Sequence, residues 1–194
     1  MSAGTGDFMP RALVALSGID IPVNNAGHAH PGTFDQLTDE DWQSDLNVKL
    51  FSMIRCSRAV LPTMRANGRG RIININAVYG KYPDPHFFAT SVDRAARLSL
   101  AKTLAMAFAK DKVLFNSVNI GFVLTPQWKN VHQRRALDLS EAEFLPGMAT
   151  DEVPLGRFGQ PDEVSSVVAF LAGDRASYIT GASTDVAGGM GNYL

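Results

Sequence analysis

The sequence predicts an α/β fold in which helices cover both faces of a parallel β-sheet. Short runs of apolar, β-branched residues recur along the chain, and most of them end at glycine or asparagine. Long patterns of amphipathic helical spacing separate these runs. Strands that alternate with long helices form parallel sheets, because a parallel connection has to cross over the sheet.

The first elements follow from turn formers and a helix start. The apolar run 19–23 is predicted to be a strand, because Asn24-Asn25-Ala26-Gly27 follows it as a set of turn formers. A long helix is predicted over 39–66, where Thr38 and Asp41 resemble a capping box, and Pro62 is expected to kink or end it late. The preceding segment 8–17 also has helical apolar spacing.

The remaining elements alternate in the same way. We predict a strand over 71–76, a helix over 90–109, a strand over 113–119, a helix from Pro161 to about 171 and a strand over 183–187. Between the third strand and Pro161, the segment 125–160 is rich in proline and glycine. It is therefore expected to be irregular, with a short helix near 138–145, and to serve as a mobile lid.

Composition limits the class of protein. The 194 residues are 45% hydrophobic and carry a formal net charge of −1, which suits one domain over 1–194 and gives no basic patch for nucleic acid. No apolar run approaches the roughly 18 to 20 residues of a membrane helix, and the N-terminus has no secretory pattern, so a cytoplasmic location is expected. Cys56, the single cysteine, is expected to be a buried structural thiol.

Several motifs, in order, resemble the short-chain dehydrogenase/reductase family. They are the Asn-Asn-Ala-Gly loop, Asn47 in LNVKLF, GRIININA, NSVNIGFVLT, PLGRFGQPDEV and ASYITGASTDVAGGM. The resemblance implies a Rossmann-type three-layer fold, NAD(P) as cofactor and reduction of a small carbonyl substrate that the sequence does not name. It also implies a cofactor cleft lined by Asn25, Ala26, Gly27 and Thr125. Asn47 would be a further catalytic position, hydrogen-bonded to helix backbone and a water.

Two departures from the family pattern change this expectation. The strands and the Gly-rich phosphate loop that precede the Asn-Asn-Ala-Gly loop in the family have no counterpart here, because Gly4-Thr5-Gly6 follows no strand and lacks the third glycine. The sequence therefore predicts a partial Rossmann-type fold whose parallel sheet lacks the first strands.

The second departure lies at the catalytic positions. Alignment without a gap places the family's serine, tyrosine and lysine on Ala77, Thr90 and Arg94; a slip of two places the last two on Phe88 and Val92. A threonine hydroxyl is a far weaker acid than a phenol, whose pKa is about 10, and arginine does not exchange its proton. Loss of the acid–base step costs on the order of 10² to 10⁴ in rate. The use of NAD(P) is therefore implied by the family resemblance and not by the residues at these catalytic positions.

Three other residue sets were weighed as replacements. They are Tyr79 and Tyr82 with Lys81 as a substitute phenol and amine, His28 and His30 as the start of a metal site, and Ser91 with His86 and Asp93 as a hydrolase set. The spacing of the histidines supplies no third ligand, so no metal site is assigned. Two functions therefore stay open beside oxidoreduction, a cofactor-independent hydrolase or lyase and a non-catalytic binding protein.

The predicted strand at 19–23 would lie at a bare sheet edge. Such an edge invites pairing, so we expect either the segment 8–17 or a second chain to cover it. The helices 39–66 and 90–109 match those through which family members dimerise. The resemblance therefore implies a homodimer or a homotetramer.

Overall fold

A computed structural model describes residues 8–128, 131–132 and 140–191 of the chain. The sheet of this part has four parallel strands in the order β1-β2-β3-β4. Their bounds are β1 Val23–Asn24, β2 Gly70–Ala77, β3 Val113–Ile120 and β4 Ser183–Val186. The described strands thus confirm the predicted parallel sheet, and no strand precedes β1 within 8–22.

Six α-helices whose two ends are both described connect or flank these strands. They are α1 Phe8–Ala15, α2 Asp39–Leu46, α3 Ser52–Asn67, α4 Phe88–Phe108, α5 Glu141–Glu152 and α6 Pro161–Ala172. None of them is both long and apolar enough to cross a membrane. All the predicted helices are therefore present, although several bounds differ.

Neighbouring residues of β2 show that helices cover both sheet faces. Ile72 packs into a cluster with Val60 and Met64 of α3, whereas Ile73 packs into a second cluster with Leu171 of α6. Successive side chains of a strand point to opposite faces, so the two clusters are two separate core layers. This confirms the three-layer arrangement.

The hydrogen-bonded ladder that defines β1 is shorter than the strand predicted over 19–23. Its pairing nevertheless begins earlier, because the amide of Arg71 donates to the Asp20 carbonyl at 3.0 Å and that of Ile73 to the Pro22 carbonyl at 3.1 Å. Helix α1 forms as predicted, and its Met9 is buried in the α3 cluster. It leaves the strand partly uncovered, since Val23 remains 43% exposed.

Two helix predictions need correction. A π-helical turn, Asn47–Phe51, divides the predicted helix 39–66 into α2 and α3, and Pro62 does not end α3, which continues to Asn67. The short helix expected near 138–145 is the longer α5, whose described start is fixed by a capping box of Ser140 and Glu143. The part of that prediction over 138–139 lies outside the described residues.

Candidate active site

The predicted site residues lie along the carboxyl edge of the sheet. Gly27 follows β1, Ala77 ends β2, and Thr125 lies in the segment after β3. Open α/β sheets bind ligands at this edge, because loops and helix N-termini converge there. Asn25, Ala26, Gly27 and Thr125 are all solvent-exposed, as residues that line a cleft would be.

Gly27 brings the loop backbone close to two buried cations. Its φ is +151°, and a β-carbon at this position would lie 3.4 Å from Nη2 of Arg94 and 3.6 Å from Cγ of Lys49. A side chain here would be strained by the backbone conformation, although its β-carbon would make only ordinary van der Waals contact with Arg94 and Lys49. The glycine therefore serves the turn of the loop directly above Arg94.

Thr90 links this loop to the helices below it. Its hydroxyl, 2% exposed, accepts a hydrogen bond from the His30 amide at 2.9 Å and another from Nζ of Lys49 at 3.1 Å. It can also donate to the His30 carbonyl at 3.4 Å. The Thr90 hydroxyl is thereby fully used within the protein.

Lys49 is the residue that the sequence analysis missed. It lies in the π-helical turn, is completely buried, and its ammonium donates to both carboxylate oxygens of Asp45. The two residues are four apart, which is the spacing of an ion pair on one helix face. That spacing was visible in the sequence, but only the fold shows that the pair is buried beside Thr90.

Asp45 and Lys49 belong to a larger buried charge cluster. Its other members are Asp93, Arg94 and Arg97 of α4, and each is at most 8% exposed. Burial, followed by the nearby Asp45 carboxylate, raises the pKa of Asp93 to about 7, and neither Asp93 oxygen has a hydrogen-bond partner among the described residues. Asp93 can therefore carry the proton that allows two neighbouring carboxyl groups to share this space.

The cations of the cluster respond to burial in the opposite direction. Burial lowers the pKa of Lys49, which its contact with Asp45 partly offsets. Burial and then the like charge of Arg94 lower the pKa of Arg97 to about 9. Arg97 therefore stays charged at neutral pH, and the cluster as a whole combines two acidic with three basic side chains.

Arg94 lies beneath Gly27, and strand β2 holds its side chain. Its Nη1 donates to the Ile75 carbonyl at 3.1 Å, and its own carbonyl accepts from Nδ2 of Asn76 at 3.1 Å. Its buried Nε has no acceptor in the described part of the chain. The guanidinium is thus held by β2 and still has donor capacity next to Gly27.

Asn47 and Ala77 do not join this cluster. The Asn47 amide donates to the Gln43 carbonyl at 2.9 Å and its oxygen accepts from Arg55 at 3.2 Å. These partners lie along its own helix, away from the contact between Lys49 and Thr90. Ala77 offers no side-chain polar atom at the end of β2.

The substitute phenol set is dispersed. Tyr79 stacks on Phe87 with ring centroids 5.1 Å apart. Nζ of Lys81 donates to the Ser183 carbonyl at 3.1 Å and to Asp185 at 2.8 Å, which draws it toward β4. The Tyr79 ring therefore packs against another aromatic ring, and the Lys81 ammonium binds residues of β4 instead.

The hydrolase set is not assembled either. Oγ of Ser91 accepts from the Asp84 amide at 3.1 Å, whereas Asp93 faces Asp45 inside the charge cluster. The His86 side chain is exposed. A nucleophile needs its base within hydrogen-bond reach, and the described contacts do not provide that arrangement.

Comparison with known proteins identifies the family. A family model described as enoyl-(acyl carrier protein) reductase matches residues 6–191. The 3-oxoacyl-[acyl-carrier-protein] reductase of Synechocystis is 35% identical over 179 residues, which cover 92% of this chain and 67% of that protein. The chain belongs to the short-chain dehydrogenase/reductase family.

Solved structures of short-chain dehydrogenases/reductases agree with this assignment. The NADPH-bound short-chain oxidoreductase of Pseudomonas aeruginosa that contains an atypical catalytic centre is 34% identical, with a TM-score of 0.87 over 96% of this chain and 71% of that one. L-Sorbose reductase of Gluconobacter frateurii, complexed with NADPH and L-sorbose, is 32% identical, with a TM-score of 0.89 over 96% and 72%.

These likenesses confirm the Rossmann-type α/β fold and an oxidoreductase of this family. They give no support to the hydrolase, lyase or non-catalytic alternatives. The chain spans about two thirds to three quarters of the length of these relatives.

Proposed function

We propose that this protein is an NAD(P)H-dependent carbonyl reductase in which a buried cationic cluster replaces the usual tyrosine acid. The observation that carries the proposal is the guanidinium of Arg94, whose Nη2 lies 3.4 Å from the β-carbon position of Gly27, with the buried Lys49 beside it. Positive charge that is fixed in a water-poor site stabilises the negative charge that develops on a carbonyl oxygen during reduction.

The residues at the cleft fit a dinucleotide cofactor in two respects. The loop Asn25–Gly27 is exposed, and Gly27 has no β-carbon that would keep a cofactor away from the loop backbone. Arg94 adds a guanidinium whose Nη2 lies nearest the β-carbon position of Gly27 in this loop, and such a group suits ribose, carbonyl or phosphate oxygens. Bound NAD(P)H would supply the hydride; Asn25, Ala26, Gly27 and Thr125 are the residues proposed to hold it.

The proton follows a different route from that of a tyrosine enzyme. The Thr90 hydroxyl accepts from Lys49 and from the His30 amide and donates to the His30 carbonyl, so it has no proton left for a substrate. It is a positioning residue that fixes Lys49. Arg94 would hold the carbonyl oxygen and stabilise the alkoxide without giving up a proton. Water then protonates the alkoxide, which gives the alcohol and hydroxide.

An apolar groove next to Thr125 favours substrates with an apolar portion. It has a volume of about 590 Å³ and is lined by Leu124, Leu145, Pro146, Ala149 and Phe158, with Gly156, Arg157 and Gln160 at its edge. Grooves of this size and lining accommodate small organic ligands. We propose that the carbonyl compound places its apolar part there.

The test is oxidation of NADPH and NADH with a panel of apolar ketones and ketoesters. Arg94→Met should lower kcat/KM at least tenfold, whereas Arg94→Lys should retain more activity because it keeps the charge. Arg58→Met is the matched control, because Arg58 is exposed on α3. No substrate-dependent NAD(P)H oxidation, or full activity in Arg94→Met, would refute the proposal.

We also propose self-association through the exposed apolar surface of α4 and the adjoining π-helical turn. Val92 is 50% exposed, Met106 is 73% exposed and Phe51 is 43% exposed. Burying such side chains in a second copy would remove apolar area from water. Light scattering that finds only monomer at micromolar concentration would contradict this.

A further inference from the structure

Two histidines and a buried aspartate meet beside Thr90. His28 and His30 lie in the loop after β1, and Asp45 lies in the last turn of α2. One ligand atom from each of these residues lies within 4.8 Å of those of the other two. Packing of α2 against the loop thus supplies the third ligand that the sequence spacing of the histidines does not.

We propose that His28, His30 and Asp45 bind a divalent transition-metal ion, with Zn²⁺ as the preferred ion. Two imidazoles and one carboxylate form a donor set that Zn²⁺ accepts, and three protein ligands leave a fourth position open. Metal binding here does not require the cofactor-dependent reduction proposed above.

The geometry needs only a small contraction. Zn–N and Zn–O distances of about 2.0–2.1 Å place tetrahedral ligand atoms roughly 3.4 Å apart. Nδ1 of His30 is already 3.8 Å from Oδ1 of Asp45. His28 is exposed, and its ring lies 6.4 Å from that of His30, so its side chain has room to turn inward.

Asp41 is placed to support His30 from behind. Nε2 of His30 is 3.6 Å from Oδ1 of Asp41, on the opposite side of the ring from Asp45. Asp41 is itself fixed, because its other oxygen accepts from the amide and hydroxyl of Thr38 at 3.0 and 2.9 Å. A carboxylate behind a metal-binding imidazole orients the ring and raises its basicity.

Lys49 is the competitor for this site. Its ammonium already occupies both oxygens of Asp45, and its charge opposes that of an incoming cation. Each carboxylate oxygen has a second lone pair, so the metal and the ammonium can share Asp45 at a cost in affinity. Removing the ammonium should therefore strengthen metal binding.

A metal here would have one chemical consequence, which rests on the proposed carbonyl reduction. The His30 amide donates to Thr90, so the site adjoins the position of the family's tyrosine. An open coordination position would polarise a carbonyl oxygen there as a Lewis acid. Metal binding is measured without a reduction assay, so failure of the metal-site proposal can be distinguished from failure of the carbonyl-reductase proposal.

The test is titration of the chelator-treated 194-residue chain with Zn²⁺ by calorimetry and with Co²⁺ by visible absorption. We expect one ion per chain and the absorption of tetrahedral rather than octahedral Co²⁺. His28→Ala and His30→Ala should each lower affinity at least tenfold, and Asp41→Asn should lower it by about 10 to 100-fold. Lys49→Met should raise it.

His132→Ala is the matched control, because the His132 ring lies 5.5 Å from that of Phe144, outside the trio. Circular dichroism of each variant checks that it is folded. Asp45→Asn also removes the ion-pair partner of Lys49. Its effect on metal affinity is therefore interpreted only together with the effects of the two histidine variants. Absence of stoichiometric binding, binding that persists in both histidine variants, or a preference for Fe²⁺ over Zn²⁺ would overturn the assignment.

Discussion

Replacement of Thr90 by valine tests the buried cluster most directly. The change keeps the β-branched shape and removes the hydroxyl that accepts from Lys49 and from the His30 amide. A hydrogen bond to a charged group contributes about 1.5–3 kcal/mol and a neutral one about 0.5–1.5 kcal/mol. Because both donors would lose a buried acceptor, we expect the free energy of unfolding to fall by about 2–4 kcal/mol.

Urea denaturation followed by circular dichroism measures this loss. Thr90→Ser retains the hydroxyl and should lose less than about half as much. Thr103→Val makes the same chemical change at an exposed position of α4 and should stay within about 0.5 kcal/mol of the unsubstituted protein. If Thr90→Val unfolds at the same urea concentration as Thr103→Val, the hydroxyl does not hold the cluster together.

Three further predictions concern other parts of the molecule. Hydrogen bonding to Arg157, then to the Gln160 amide, lowers the pKa of exposed Glu163 to about 2; the stability from this contact is therefore complete above about pH 4.5 and lost as the pH falls toward 2. Carboxyl NMR should show this titration, and Arg157→Met should return the pKa to its usual range. Burial raises the pKa of the Cys56 thiol, so an aromatic disulfide reagent should react more slowly with the folded chain than with the urea-unfolded one. Met106→Glu should shift light scattering toward monomer, and an unchanged mass would exclude that helix face from the interface.

Much of the fold was predictable because the relevant forces are local or repeat at short spacing. The capping box of Thr38 and Asp41 and the proline at the start of α6 satisfy helix ends within a few residues. The predicted bounds failed where tertiary packing decides, as at the π-helical turn Asn47–Phe51 and at Pro62, which α3 accommodates. Cys56 is partly rather than fully buried, which likewise depends on how α3 packs.

The candidate site divides in the same way. Motif order and spacing identified the family, the cleft loop at Gly27 and the unusual residues Ala77, Thr90 and Arg94. The Asn47 amide donates to helix backbone, which is the contact that the resemblance implies. No spacing rule relates Lys49 to Thr90, which are 41 residues apart in the chain.

The sequence by itself determined an α/β fold and the chemistry missing from the usual catalytic positions, because strand alternation, helix caps and ordered motifs are written along the chain. Only the tertiary structure decided which polar groups lie together around these positions. Packing of α2 and α4 under the loop after β1 buries Lys49 beside Thr90 and brings Asp45 to the two histidines. Ionisable groups far apart in sequence acquire perturbed energies when they share a volume from which water is excluded, and sequence spacing does not specify that volume.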